Sequence, residues 1–419
     1  MASFPFFTFS TNSLILLVLL NLTYLLAAKH SKYASHHNHY HHHHHPPAAS
    51  NSRLHQASND RLHQAFIALQ ALKHAIYSDP KNYTTSWVGP SVCSYEGIYC
   101  APALDNPEIQ VVAGIDLNHA DIAGFLPDEL GLLTDLALIH LNSNRFCGIL
   151  PLTLANLSLL YELDISNNRF VGPFPTVVLS LPTIGYLDLR FNNFEGPVPP
   201  ELYQKKLDAI FLNDNRLTNI IPAGVAGSSA SVLVFANNNY GGCLPPSIVH
   251  FANTLEELVL INTNLTGCLP QEVGFLYKLR VLDVSFNNIV GPIPYSIAGL
   301  AHLEQLNLGF NKLSGIVPAG VCMLPDLENF TLSYNFFCEE EGICQNLTSR
   351  GIVFDDRRNC LVEKPNQRSK RECNAVLEHP VDCFEHPCEC GEAAAFPPTI
   401  SPMPTSVPLP SPSIAPTPL

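Results

Sequence analysis

Residues 279–294 read LRVLDVSFNNIVGPIP, and residues 303–318 repeat the same order of residue types as LEQLNLGFNKLSGIVP. The shared pattern is Leu-x-Leu-x-x-Asn-x-Leu-x-Gly-x-Ile-Pro. Because side chains alternate along a strand, the paired leucines predict a short strand with one buried side. The asparagine can bond backbone groups where the chain leaves the strand, and the glycine and proline then bend the chain back.

The pattern recurs ten times, at steps of 23 to 25 residues. The asparagine positions are Ala120, Asn144, Asn168, Asn192, Asn215, Asn238, Thr263, Asn287, Asn311 and Asn335. One copy cannot bury its own leucines, so the copies must stack to form a core. The period identifies a leucine-rich repeat. The predicted fold class is a leucine-rich repeat solenoid, an α/β horseshoe of about ten repeats, with disulfide-bonded caps at both ends and a disordered proline-rich tail.

Changes in composition divide the chain into six segments. The apolar run at residues 14–26, followed by two alanines, predicts a secretory signal peptide, with a membrane anchor as the alternative. Nine histidines within residues 30–45 indicate a disordered spacer or a metal-capturing tract, and we favour the spacer. Apolar spacing from Asn59 to Ser78 predicts one helix that starts at Asn59 or Asp60. The segments are a signal peptide (1–28), a histidine-rich spacer (29–52), an N-terminal cap (53–110), the repeats (111–337), a cysteine-rich C-terminal cap or hinge (338–392) and a Pro/Ser-rich tail (393–419).

Thirteen cysteines in a secreted chain predict a disulfide framework, and their odd number leaves at least one thiol unpaired within the chain. Cys93 and Cys100 are the predicted pair of the N-terminal cap. Cys243 and Cys268 hold equivalent positions in adjacent repeats, about 5 Å apart and within disulfide reach. Cys147 is the candidate for the odd thiol, either linking a homodimer or buried and inert. The other pairings stay open, and neither a metal site nor a cofactor is predicted.

The outward residues beside the strand leucines form the predicted concave binding face. Between the two leucines, the N-terminal copies are mostly acidic and the middle copies are apolar. The position before the asparagine is aromatic in four copies, three of them consecutive, so their rings should line up. The predicted ligand-binding residues are Asp116, His140, Glu162, Asp164, Tyr186, Asp188, Phe191, Phe211, Asp283, Phe286, Phe310 and Tyr334.

Sequons predict N-glycosylation at four asparagines. They are Asn82, Asn156, Asn264 and Asn346. A fifth sequon, at Asn329, falls on the predicted binding face, and a glycan there would obstruct it. Asn329 is therefore not among the predicted glycosylation sites.

The charge of the chain limits the class of partner. The net charge is −14, and residues 101–335 carry 21 acidic and 9 basic side chains. This excess excludes a nucleic-acid binder and favours a basic partner, although an acidic face also serves solubility alone. No Gly-x-Ser-x-Gly, His-Glu-x-x-His or phosphate-binding loop is present, so we predict a binding protein rather than an enzyme.

The order of segments resembles the leucine-rich repeat extensins of plants. The stretch from Cys373 to Cys383, CNAVLEHPVDC, is similar to that family's hinge before the proline tail. The tail itself is reduced, because it lacks serines followed by several prolines and has no tyrosine. The resemblance implies a secreted cell-wall protein of the plant extracellular repeat type.

The resemblance also implies the partners. They are a basic, cysteine-bearing peptide of the rapid alkalinization factor type, a cell-surface receptor kinase reached through that peptide, and a disulfide-linked homodimer. Two alternatives stay open. One is a structural wall protein or binder of pectin or another polysaccharide, and the other is an inhibitor of pectin-degrading enzymes.

Overall fold

The computed structural model describes residues 49–218, 228–381 and 383, and the side chains of this range from residue 60 onward. The predicted signal peptide, the histidine run and the proline-rich tail lie outside the described residues, as do Cys388 and Cys390. The described residues from 54 to 383 belong to one compact unit.

One long sheet runs through the repeats, and within the described ranges it has twelve strands. All neighbouring strands are parallel except the first pair, Ile98–Pro102 with Gln110–Asp116. The remaining strands are Leu138–His140, Glu162–Asp164, Tyr186–Asp188, Ala209–Phe211, Val232–Val234, Glu257–Val259, Val281–Asp283, Gln305–Asn307, Asn329–Thr331 and Val353–Asp355. From Leu138–His140 to Asn329–Thr331, the central residue of each three-residue strand lies in register with its neighbours, as Leu282 with Leu306, and is buried. The predicted leucine-rich repeat solenoid is confirmed.

Buried asparagines join each repeat to the one before it. The amide nitrogen of Asn287 donates to the Leu260 carbonyl at 2.7 Å and to its own turn at Val284, 3.0 Å away. Its amide oxygen accepts from the backbone N–H groups of Thr263 and Leu265 at 3.0 and 2.9 Å. The same donation to the preceding repeat is made by Asn144, Asn168, Asn192, Asn215, Asn238, Asn287, Asn311, Asn335 and Asn359. We call these nine residues the asparagine ladder.

The glycine of the repeat pattern lies in a second layer of short strands. Gly172, Gly196, Gly291 and Gly315 have φ between 74° and 90°, which only glycine adopts without strain. The chain then forms short strands that pair with those of neighbouring repeats. They are Cys147–Gly148, Arg169–Pro173, Asn193–Pro197 and Arg216–Thr218 in one group, and Val290–Gly291, Lys312–Val317 and Phe336–Glu340 in another.

Short turns rather than long helices carry the chain back to the next strand. The 3-10 turns within the repeats are Asp128–Leu132, Leu152–Asn156, Thr176–Ser180, Pro200–Gln204, Pro246–Phe251, Gln271–Phe275 and Tyr295–Gly299. One copy has a four-residue α-helix instead, Ala319–Cys322. Further 3-10 turns in the caps are Tyr83–Ser86, Val92–Ser94, Gly342–Asn346 and Thr348–Arg350.

One hydrophobic core extends from the N-terminal cap to the C-terminal cap. Three buried rings stand nearly parallel inside it, with centroids 6.5 Å apart for Phe146 and Phe170 and 6.3 Å apart for Phe170 and Phe194. Each lies two residues after a ladder asparagine, so the repeat spacing stacks them. The core is therefore built by the same register that aligns the strands.

The N-terminal cap is a helix, Ala49–Ala75, that packs its buried Ala68, Leu69 and Leu72 on the first repeat. The predicted bounds were wrong at both ends. The helix starts before Asn59, and its last predicted turn is instead a strand, Ile76–Ser78, paired with Ala123–Gly124. Gly124 allows this approach because a Cβ there would lie 2.8 Å from the Ala75 carbonyl oxygen.

Trp87 closes this cap. It is fully buried, its ring lies 5.6 Å from that of Tyr95, and its indole N–H donates to the Glu96 carbonyl. A disulfide joins Cys93 to Cys100, which lies within the antiparallel edge strand Ile98–Pro102. The edge strand covers the end of the sheet, which would otherwise expose unpaired backbone groups.

The repeat architecture continues beyond residue 337, where the predicted repeats end. The strand Val353–Asp355 pairs in parallel with Asn329–Thr331, and Asn359 makes the ladder bond to Leu332 at 3.0 Å. The C-terminal helix, Lys370–Leu377, follows this eleventh copy. A capping box between Ser369 and Glu372 stabilises its first turn. Sequence reasoning missed the copy because Val353-Phe354-Asp355 lacks the paired leucines, although Asn359 keeps the step of 24 residues.

The disulfides correct the predicted pairing of Cys243 with Cys268. Cys268 is bonded to Cys383, and Cys243 is disulfide-bonded as well. The C-terminal segment returns so closely that a Cβ on Gly291 would collide with the Cys383 sulfur. Two further pairs are Cys322–Cys344 and Cys360–Cys373. Cys147 and Cys338 are free thiols among the described residues.

None of the helices in the described ranges is long and apolar enough to cross a membrane. Over the same residues, no group of three or more His, Cys, Asp or Glu side chains is placed to hold a metal ion.

The asparagine ladder predicts that substitution of two neighbouring asparagines changes the free energy of unfolding by very different amounts. Asn287→Ala removes partners from buried backbone groups and should lower the free energy of unfolding by about 2–4 kcal/mol. Asn288→Ala is the matched control, because its amide donates to the exposed Asn264 side chain, and it should cost less than about 0.5 kcal/mol. Urea denaturation measures both. Equal losses would contradict the ladder's role.

Candidate functional site

The candidate site is the outward surface of the long sheet, which we call the strand face. It consists of the first and third residues of each three-residue strand, together with the turn that follows. In-register pairing places Asp116, His140, Asp164 and Asp188 in one row. Adjacent strands lie about 4.8 Å apart, so these side chains are close neighbours.

His140 is held inside the acidic row. Its Nε2 lies 2.9 Å from Glu162 Oε2, and the side chains of the two residues are only 22% and 10% exposed. Burial lowers the pKa of His140, and the hydrogen bond to Glu162 opposes this effect. Together with the charges of Asp164 and Asp116, that bond raises the pKa above its ordinary value. His140 therefore carries a positive charge over a wider pH range than a free histidine.

Asp188 is the buried member of the row. Its Oδ2 is 2.9 Å from Arg190 Nε, in a contact without hydrogen-bond geometry, and Oδ1 accepts from the Arg190 backbone N–H. Burial raises the pKa of Asp188 well above its usual range, and the charge of Asp164 raises it further. Asp188 was predicted as an exposed ligand contact, but the structure places it beneath the surface.

Arg190 is the residue of this cluster that sequence reasoning missed. Its guanidinium lies 5.0 Å from the ring centre of Phe211, and that ring lies 5.6 Å from Tyr186. Burial raises the pKa of Tyr186, so its hydroxyl stays protonated. The signal was available, since Arg190 stands two residues after the strand aspartate, where none of the other nine predicted copies has a charged side chain.

The middle of the strand face is apolar and leads to a second polar region. Phe211 is followed in register by Val234 and Val259, all half-buried. Asp283 comes next, accepting from the Ser285 hydroxyl at 2.6 Å and from the Asn307 amide at 2.9 Å. Burial raises the pKa of Asp283 despite these bonds. Its carboxylate is therefore held by its neighbours and projects little toward solvent.

Three aromatic rings line up at one edge of the strand face, as the sequence predicted. Phe286, Phe310 and Tyr334 have ring centroids 4.2 Å apart and planes inclined by 10° at both steps. All three are exposed, by 46%, 39% and 37%. We call them the aromatic ladder. Phe191 holds the equivalent position four repeats away, about 19 Å along the sheet, and stands apart from it.

The predicted glycosylation sites are accessible on the structure. The asparagines at positions 82, 156, 264 and 346 are exposed, whereas Asn329 is half-buried in its strand. Asn264 also accepts a hydrogen bond from Asn288 at 3.2 Å, so its side chain is already oriented along the surface. Glycosylation at these four sites stays a prediction.

The fold defines a class of protein: a disulfide-stabilised leucine-rich repeat protein whose long sheet presents an extended outward surface. A leucine rich repeat family model matches residues 277–337. Leucine-rich repeat extensin-like protein 6 of Arabidopsis thaliana is 63% identical over 325 residues, which are 77% of this chain and 68% of that protein. The chain therefore belongs to the leucine-rich repeat extensin-like family.

A second relative and a solved structure show how much of the sequence and of the fold is shared. Leucine-rich repeat extensin-like protein 2 of Arabidopsis thaliana is 59% identical over 77% of this chain, but the chain spans 41% of its length. The ectodomain of the Arabidopsis receptor kinase HAESA, in complex with an IDA peptide hormone, has a TM-score of 0.56 and 26% identity. The match covers 72% of this chain and 54% of that one.

The His140–Glu162 pair predicts a pH-dependent stability. Because the folded state raises the pKa of His140, its stabilisation is complete below about pH 6.5 and is lost as the pH rises through the raised value. The cost of His140→Gln should therefore be largest near pH 5 and shrink toward pH 8. Urea denaturation across this range measures it.

His302→Gln is the control, since His302 is an exposed histidine 3.3 Å from Asp326. Its cost should change little with pH. A pH-independent cost of His140→Gln would contradict the assignment.

Proposed function

We propose that this protein is a secreted cell-wall protein that binds a basic, cysteine-rich signalling peptide of the rapid alkalinization factor type on the strand face. It links that peptide to the wall and so influences wall formation and cell growth. A cell-surface receptor kinase engages through the same peptide. Membership of the extensin-like family and the disulfides, which are typical of exported proteins, support the location.

The observation that carries the proposal is the union of charge and aromatic rings on one surface. Asp116, Glu162 and Asp164 stand together in the N-terminal copies, and the aromatic ladder lies further along the same sheet. Carboxylates steer a basic ligand, and exposed rings anchor it. HAESA, which shares this fold, binds a peptide hormone in its solved structure. A binding surface, rather than a catalytic pocket, is what this geometry favours.

Removing charge from the acidic row should lower the affinity for a basic peptide and make that affinity less dependent on salt. Calorimetry of the full chain with a panel of basic, disulfide-bonded peptides should find one that binds below about 10 μM, or −6.8 kcal/mol on the usual scale. The pair Asp116→Asn and Asp164→Asn should weaken that peptide roughly five-fold, about 1 kcal/mol, and flatten its salt dependence.

The control pair is Asp128→Asn with Glu129→Gln, which removes the same charge from exposed residues of a 3-10 turn. Its affinity should stay within two-fold, roughly 0.4 kcal/mol, of the native chain. Equal losses in both pairs would move the peptide away from the acidic row. Tight binding of an oligogalacturonide, with no peptide bound, would favour the polysaccharide alternative.

We also propose that two copies of the chain form a disulfide-linked homodimer. Cys147 is a half-buried free thiol, with its sulfur 3.7 Å from the Tyr77 hydroxyl and 3.5 Å from the Gly124 carbonyl oxygen. Non-reducing electrophoresis of the secreted protein should show a dimer that disappears in Cys147→Ser. A dimer that survives in Cys147→Ser but not in Cys338→Ser would assign the bond to the other free thiol.

A further inference from the structure

In every repeat, the residue before the asparagine position of the pattern lies in the left-handed region of the backbone. In the repeats and the C-terminal cap this position has φ between 52° and 60°. Its residues are His119, Ser143, Asn167, Phe191, Asp214, Asn237, Asn262, Phe286, Phe310, Tyr334 and Arg358. Asparagine and aspartate tolerate this conformation best, and bulky side chains adopt it rarely. An aromatic ring here is therefore unfavourable for the turn, and part of it stays exposed to solvent.

The aromatic ladder is covered at its Tyr334 end. The next equivalent residue is Arg358, whose guanidinium lies 3.6 Å from Glu372 in the C-terminal helix. Arg368, from the segment before that helix, stacks on Phe336 at 4.2 Å and donates to the Asn335 carbonyl. The C-terminal cap thus surrounds this end of the stack with its own side chains.

The Phe286 end differs. The next equivalent residue is Asn262, which donates to Asn237 at 3.1 Å, and Asn237 donates in turn to Asp214 at 2.9 Å. Asn262 is a short polar side chain and has no ring that could stack on Phe286. Among the described residues, Phe286 stacks on Phe310 alone, and it is the most exposed ring of the three.

We propose that the uncovered face of Phe286 binds an aromatic side chain of the peptide ligand, which adds a fourth ring to the aromatic ladder. The position at Asn262 offers the same 4.2 Å step that separates the rings already stacked. This inference rests on the proposed peptide binding and names the chemistry that one part of the strand face recognises.

Charge and spacing define the ligand further. Residues 101–335 carry 21 acidic and 9 basic side chains, and this excess favours a basic peptide over an acidic sugar chain. Asp164 is the last carboxylate of the acidic row that reaches the surface, and Asn262 follows the strand four steps further along the sheet, which is about 19 Å away. An extended peptide covers that distance in about six residues. The ligand therefore carries an aromatic residue roughly six positions from a basic one.

Two synthetic peptides test this directly with the full chain. The first has two arginines at one end and a single tyrosine six residues away, and the second has leucine in place of the tyrosine. The native chain should bind the tyrosine peptide about three- to ten-fold more tightly, as expected for one stacked pair. In Phe286→Asn, which suits the left-handed turn, the two affinities should agree within two-fold.

A tryptophan reporter gives a second measurement. The chain has one tryptophan, Trp87, which is fully buried, so the fluorescence of Phe286→Trp reports mainly on position 286. The tyrosine peptide should change this emission at saturation, and the leucine peptide should not. An unchanged urea midpoint for Phe286→Asn shows that lost discrimination does not come from unfolding.

The outcomes separate the two proposals. If both peptides bind the native chain equally, and the acidic row governs their salt dependence, peptide binding stands and the fourth-ring inference is overturned. If Phe286→Asn keeps the preference for tyrosine, the ring docks elsewhere and the inference is also overturned. If neither peptide binds but an oligogalacturonide does, and Phe286→Asn abolishes it, both proposals fail in favour of a sugar ring.

Discussion

A buried asparagine amide must satisfy its two donors and its acceptor inside the protein, because no water reaches it. In this chain each ladder amide does so by bonding its own turn and the backbone of the preceding repeat, as Asn287 does with Leu260 and Leu265. The bond fixes the distance between copies and aligns their strands. The stacked core and the ordered strand face both depend on this interaction.

Because the ladder sets the backbone, the outward side chains are free to differ from copy to copy. The same in-register position holds a carboxylate at Asp164, a ring at Phe211 and a valine at Val259. Charge, apolar surface and stacked rings therefore follow one another along a rigid row. A ligand that binds this surface is selected by the order and spacing of its own groups, which suits an elongated partner better than a compact small molecule.

Sequence reasoning succeeded where a feature repeats with the period. The strands, the ladder asparagines and the alignment of Phe286, Phe310 and Tyr334 all follow from residue spacing alone. It failed where the period breaks down. The eleventh copy was missed because Phe354 and Asp356 stand at the two leucine positions of the pattern. The start of the N-terminal helix was set too late because Asn59 and Asp60 suit a helix cap, whereas the helix runs through them.

The sequence by itself determined the repeat, its register, the family and the acidic, aromatic character of one face, because each is a property of residues at fixed separation. Only the tertiary structure decided that Cys268 bonds Cys383, 115 residues away, and that Asp188 is buried against Arg190. It also decided that Phe286 ends the aromatic ladder with an uncovered face. These depend on which segments meet across the fold and on how neighbouring side chains share space, and neither is encoded in local spacing.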